Sequence, residues 1–343
     1  MDATLFGRHD GRDVHEVTLR SPGGMEARVI TWGAVIRDLL VPSPGGPQRV
    51  VLGYEALEHY VAHSPYFGAV VGRHANRIGG ATFALDGETV RLTPNEGAHQ
   101  LHGGPAGFGQ RVWTLLHHDA HSAVLGLVSE DGDMGYPGRL VATCTYRVAD
   151  PATLAITLDA TCDRATAVNL TSHSYFNLDG GPDICSHHLR LEADHVTAVG
   201  SDLIPTGAIA PVAGTALDFR ALRPIGAPGL LQCRERYDHN FVLRAGGGAL
   251  ARAATLLSRR SGLAMELWTT EPGLQFYGGH LLDSPVPGLG GARYRIHGGL
   301  CLEPQRFPDG PNHAHFPSCI LRPGALSRQA SELRFRPCDA SDA

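Results

Sequence analysis

The chain of 343 residues contains no lysine; all 29 of its basic residues are arginine. That absence excludes every chemistry built on a side-chain amine. Schiff-base catalysis, pyridoxal phosphate attachment, the P-loop lysine and the kinase strand lysine all need one. Codon bias in a GC-rich genome is a sufficient cause, and the exclusion holds whatever the cause. No run of about 18 apolar residues occurs, so no membrane span is expected. Met1 to Leu5 carry no basic segment leading into an apolar one, so no secretory leader is expected either. The seven cysteines are scattered and form no C-x-x-C pair. A zinc ribbon and a dithiol redox motif are therefore not expected; the cysteines read as small buried hydrophobes of a cytoplasmic protein. Missing too are the G-x-S-x-G nucleophile elbow, a G-x-G-x-x-G turn after a strand and the H-E-x-x-H zinc motif. Against 34 acidic residues the arginines leave a net charge of −5, with no basic footprint for nucleic acid or an anionic membrane. A small neutral ligand is the partner class that remains.

What is present is the period-two pattern of strands. Leu154, Ile156, Leu158, Ala160 and Cys162 alternate with polar or small residues, and Leu140 to Val148 does the same. Thr82–Leu85, then Asp86-Gly87, then Glu88–Leu92 predicts a hairpin on a two-residue turn. Leu189–Glu192, Phe241–Leu243, Met265–Trp268 and Leu300–Leu302 read as further short strands, and only Glu55–Val61 suggests a helical turn or two. With 43 glycines and 23 prolines as punctuation, the fold class is all-β, a sandwich or barrel of many short antiparallel strands. No repeat of fixed period supports a propeller. A single domain over residues 1–343 is expected, with a polar tail from about Pro337.

The 19 histidines raise the question of a metal. His313 and His315 have the spacing that places two imidazoles on one strand face, but no third ligand follows from spacing, and no metal site is expected. The turn Asp131-Gly132-Asp133 lacks the later ligands of a calcium loop. Polar residues in dense segments between strands are the remaining candidates. Asn76 and Arg77 offer an amide and a guanidinium fork. His102 precedes two glycines, where backbone can approach a ligand. His173 and Tyr175 are read as sharing one strand face. Asp238 lies in Tyr237–Phe241, Gln275 in Thr269–Tyr277, and Glu303 closes the apolar strand Cys301-Leu302. Burial there would raise the pKa of Glu303 from its usual ~4.3 towards that of a usable base. Taken one at a time, each of these has a structural explanation at least as good, and for Glu303 a Glu buried against an Arg is the preferred one.

Taken together and in chain order, the segments resemble the aldose 1-epimerase (galactose mutarotase) family. The matching stretches are GRHANRIGGATFALDG, NEGAHQLHGG, DGDMGYPG, LTSHSYFNLDG, DHNF, TTEPGLQFY, CLEPQRFPDGPN and FPSCILRPG, spread from about Trp32 to Gly324. The resemblance implies a large antiparallel β-sandwich with an open substrate cleft. It implies a cofactor-free reaction that interconverts the α and β anomers of free hexoses of the galactose and glucose class. Glu303 would be the general base and His173 the general acid, with Asn76, Arg77, His102, Tyr175, Asp238 and Gln275 binding the sugar. The partner implied is the aldose itself, and the chain a monomer or weak homodimer. Two departures stand out: Ala325 where the family commonly has Glu, and Gly278-Gly279-His280 after the QFY triplet. The alternatives are an epimerase of a phosphorylated or modified sugar, which would want an arginine cluster around Arg73 and Arg77, and a non-catalytic sugar-binding protein on the same scaffold. A glycosidase would need two catalytic carboxylates; Asp238 and Glu303 could be cast in that role, but the resemblance gives no support for it.

Overall fold

The computed structural model describes residues 3–226 and 236–338. Three large sheets carry the fold. A five-stranded sheet runs as a meander through Thr4–His9, Arg12–Arg20, Glu26–Ile30, Val35–Ser43 and Gly46–Arg49. A nine-stranded sheet has the spatial order Thr114–His118, Ser122–Ser129, Leu140–Ala149, Thr153–Cys162, Ser327–Pro337, Leu263–Thr269, Ala251–Ser258, His188–Leu191 and Arg223–Pro224. A six-stranded sheet is ordered Tyr175–Phe176, Leu300–Gln305, Gly273–Tyr277, Asp238–Leu243, Ala193–Val199 and Pro205–Pro211. The last strand among the described residues thus closes the middle of the nine-stranded sheet and takes in Pro337, where composition suggests a tail. Residues beyond 338 lie outside the described part.

Alternation decides which faces meet. In the antiparallel pair Leu140–Ala149 and Thr153–Cys162, Ala142 lies opposite Ala160, Cys144 opposite Leu158, and Tyr146 opposite Ile156. All six are buried, while the residues between them turn the other way, so one inward face is built from two period-two patterns in register. Ile156, Leu158, Leu267 and Leu333 of the nine-stranded sheet line a small internal cavity together with Phe176 and Leu302 of the six-stranded one. The two sheets therefore pack face to face, and Gln329 ties them by donating to the carbonyl of Pro304 at 2.6 Å. One apolar cluster runs through both sheets, from Val17 to Phe335.

The expected hairpin is present as Thr82–Leu85 paired with Glu88–Arg91, and both turn residues, Asp86 (φ 51°) and Gly87 (φ 86°), adopt the positive φ that a tight turn of this twist requires. The one α-helix among the described residues, Leu57–His63, falls where the helical hint lay, and no helix is long and apolar enough to cross a membrane. Cys144, Cys301 and Cys319 are buried free thiols as expected, whereas Cys185 is disulfide-bonded, which scattered spacing did not foretell. His313 and His315 are not on a strand. They lie in the loop after Gly310–Asn312, where their Nε2 atoms face the carbonyls of Pro205 and Gly207 at 3.2 and 2.8 Å, and His313 also pairs with Asp309.

Candidate active site

The strand Leu300–Gln305 is buried along its whole length in the six-stranded sheet. Its neighbour Tyr175–Phe176 pairs only with Leu300 and Cys301, so Pro304, which has no N–H to donate, sits beyond the last residue paired on that side. In the other direction Gln275 is directly opposite Glu303, and Asn240 opposite Gln275. This register sets Glu303 on the floor of a cleft of about 210 Å³.

His173 reaches the same floor by a different route from the one expected. It is not on a strand: the chain leaves the ladder Thr171–Ser172, crosses at His173-Ser174, and enters the ladder Tyr175–Phe176. Backbone bonds on both sides of the crossing, His173 N–H to the Ala69 carbonyl (2.8 Å) and Gly68 N–H to the His173 carbonyl (3.0 Å), hold it in place. The imidazole still stacks on Tyr175 (5.3 Å, 27°), and its Nε2 lies 3.6 Å from Glu303 Oε1. Glu303 Oε2 is buried with no protein partner.

A third segment supplies the wall. Arg77 pairs in register with Leu101, which brings Asn76 and Arg77 alongside His102. Gly103 is what lets this strand turn so close: its φ is +86°, and a Cβ there would fall 1.8 Å from the carbonyl oxygen of Gly72. Gly103→Ala is expected to displace His102 and to cost on the order of 1–3 kcal/mol from backbone strain alone. Urea denaturation together with anomer equilibration checks it; a variant with unaltered midpoint and rate would show the approach is not required.

The cleft is lined by Asn76, Arg77, His102, His173, Tyr175, Asp238 and Glu303, seven of the eight residues expected there. Gln275 is not on the lining. It lies behind, donating to Asp238 Oδ1 at 2.6 Å, with its own Oε1 buried and unpartnered. Seven further lining residues carried no expectation, among them Tyr66, Glu96, Tyr277, Leu281 and Leu282. Glu96 binds Arg77 in bidentate fashion (2.6 and 2.8 Å), and Arg77 also faces Asp238 at 3.7 Å. Tyr66 packs edge-on against His102 at 4.7 Å. Glu96 and Tyr277 stand inside matched motifs and could have been found there; Tyr66 and Leu281 stand in none.

Arg73 is absent from the lining. Its guanidinium is buried elsewhere, donating to Ser129 Oγ and to the carbonyls of Ser129, Glu130 and Pro137 at 2.8–3.0 Å. Of the two departures from the family pattern, Ala325 is in an exposed turn, whereas His280 packs edge-on against Tyr277 beside the cleft.

Burial dominates the electrostatics. It raises the pKa of Glu303 well above the carboxylate range, Asp238 pushes it further up, and Arg77 opposes both. Burial lowers that of His173 to about 4. His102 is held well below its usual value, first by burial and then by His173 and Arg77. One group of three with metal-ligand spacing occurs among the described residues: His102, His173 and Glu303, with ligand atoms within 4.8 Å of one another. Sequence spacing could not reveal it, since the three come from different segments. A metal fits this set poorly, because His102 Nδ1 already accepts the backbone N–H of Asn76 at 3.1 Å.

The aldose 1-epimerase family profile matches residues 15–334. The chain belongs to that family. It is similar to the aldose 1-epimerase of Escherichia coli (strain K12), with 39% identity over 95% of this chain and 96% of that one. To the galactose mutarotase of Homo sapiens it is 43% identical over 90% of each chain. Among solved structures, an aldose epimerase homologue from C. elegans superposes with a TM-score of 0.89 at 32% identity, covering 95% of this chain and all of that one. The galactose 1-epimerase of Lactobacillus acidophilus NCFM superposes with a TM-score of 0.84 at 27% identity, covering 98% and 99%. The chemistry to be explained is therefore the exchange of α and β anomers of an aldose.

Proposed function

We propose that the chain acts on free hexoses of the galactose and glucose class, with Glu303 and His173 moving the protons of ring opening and closure. The observation that carries this reading is the 3.6 Å approach of His173 Nε2 to Glu303 Oε1 on the floor of a cleft otherwise lined with hydrogen-bonding groups. In the opening step the Glu303 carboxylate takes the proton of the anomeric hydroxyl while the His173 imidazolium protonates the ring oxygen. The C1–O5 bond breaks and an aldehyde forms at C1. After rotation about C1–C2, His173 takes the proton back from O5 and Glu303 returns its own to O1, closing the other anomer. Each positioned group contributes roughly 10²–10⁴-fold. Arg77, His102 and Asp238 orient the hydroxyls, and Gln275 acts through Asp238.

The pair works with one proton between them. Burial favours the uncharged arrangement in the empty cleft, with the proton on Glu303; this is the same proton inventory as the open-chain intermediate. Activity should therefore fall off below about pH 4, where His173 takes up a second proton. It should fall again on the alkaline side, where the pair loses its last proton at a pH set by the raised Glu303. Removing the Asp238 charge eases that loss, so Asp238→Asn should move the alkaline limb of the kcat profile to lower pH. An unmoved limb would separate Asp238 from the titration.

The direct test is polarimetry on freshly dissolved α-galactose and α-glucose; equilibration no faster than in buffer would reject the reading. A phosphorylated sugar has little support. Arg73 is out of the cleft and Arg77 is held by two carboxylates, so glucose 6-phosphate should be the poorer substrate. The apolar cluster that spans Val17 to Phe335 supports one domain. Five free cysteines among the described residues favour a cytoplasmic location, with the Cys185 disulfide weighing on the other side.

A further inference from the structure

We propose that the backbone amide of Asn76 locks His102 as the tautomer with its proton on Nε2, so that this ring presents an N–H, and not a lone pair, to a sugar oxygen. Asn76 N–H points at His102 Nδ1 at 3.1 Å. An amide N–H can only donate, so Nδ1 must carry the lone pair, and a neutral imidazole then has its proton on Nε2. The ring is neutral because it is enclosed and faces Arg77 and His173, which disfavour a second proton.

The lock is built twice over. His102 N–H returns a bond to the Asn76 carbonyl at 3.0 Å, so the two residues hold each other through their backbones. Both stand at positive φ, Asn76 at 62° and His102 at 51°. Asparagine tolerates that region better than most residues, and its own Oδ1 accepts the N–H of Arg77 at 2.9 Å. Asn76 is thus a positioning residue as well as a cleft residue. The consequence reaches the metal question. Ligation through Nε2 would force the proton onto Nδ1, against the Asn76 donor, so the His102–His173–Glu303 group is arranged to bind oxygen by hydrogen bonds.

The donor role rests on the epimerase reading, but the tautomer does not, and the experiment separates them. Long-range ¹H–¹⁵N correlation on the sugar-free, histidine-labelled protein reads the tautomer, with His102→Gln identifying the signal by its loss. The expected result at pH 7 is a neutral ring protonated on Nε2, unchanged in Asn76→Gly, which keeps the amide and the backbone freedom but lacks the side chain. A proton on Nδ1, a doubly protonated ring, or a tautomer that changes in Asn76→Gly would overturn the proposal. In kinetics, His102→Gln retains an N–H near the Nε2 position and is expected to keep at least tenfold more kcat/KM than His102→Leu. Equal losses in the two variants would overturn the donor role alone.

Discussion

Glu303→Gln is expected to abolish anomer equilibration while leaving the protein folded. The amide is nearly isosteric with the carboxylic acid, and the acid form is the one that burial already favours at this position. The strand around it should therefore keep its packing, and thermal stability should hold or rise at neutral pH. The amide cannot take a proton from the anomeric hydroxyl, so the reaction loses the contribution of a positioned base, roughly 10²–10⁴-fold. The sugar should still bind, since Asn76, Arg77, His102 and Asp238 remain. His173→Asn is expected to give a loss of the same order, and the double variant little more than either alone, because the two groups pass one proton and fail as a unit. Polarimetry gives the rates, and intrinsic fluorescence or calorimetry the retained affinity. A Glu303→Gln protein with full activity would remove the residue from the mechanism.

Arg73→Met should do the opposite, sparing chemistry and costing stability. Arg73 is 1% exposed and brings together donors for three backbone carbonyls, those of Ser129, Glu130 and Pro137, with a longer bond to Thr166 Oγ1 at 3.3 Å. The guanidinium also lies over the face of Tyr136, 5.6 Å from the ring centre. Methionine matches the aliphatic stem but leaves those carbonyls without their donors, while Asp133 keeps its ion pair with Arg111 at 2.6 Å. A buried polar group left without its partner costs on the order of 1–3 kcal/mol, and several are left here at once. The expected result is a lower urea midpoint at unchanged slope, with the rate per folded molecule little altered. Were the variant stable but weak in sugar affinity, Arg73 would belong to the cleft after all, and the phosphorylated-sugar reading would regain its second arginine.

The contrast between Arg73 and Arg77 shows how far a sequence can be read. Four residues apart in one motif, they offer the same functional group. One is drawn inward by carbonyls from residues 129–137, the other faces carboxylates from residues 96 and 238. Those partners are set by long-range pairing, which leaves no local trace. The strands were legible because their cause is local: side chains alternate at every second residue, and one buried face writes that period into the chain. The Asp86-Gly87 turn was legible for a similar reason, since few residues accept positive φ twice in succession. The family motifs marked Glu303, His173 and most of the other polar residues that line the cleft, although residue chemistry alone left each of them with a structural explanation.

Only the folded chain showed which side chains face one another. It set Glu96 on Arg77, Tyr66 beside His102 and Gln275 behind Asp238, and it placed His173 at a crossing between two short ladders where one continuous strand face was expected. The same holds for the shifted pKa values of Glu303 and His173. Neither residue type carries an unusual pKa in water. The shift comes from enclosing a carboxyl and an imidazole 3.6 Å apart where water no longer stabilises their charges, and that enclosure is made jointly by segments remote in the sequence.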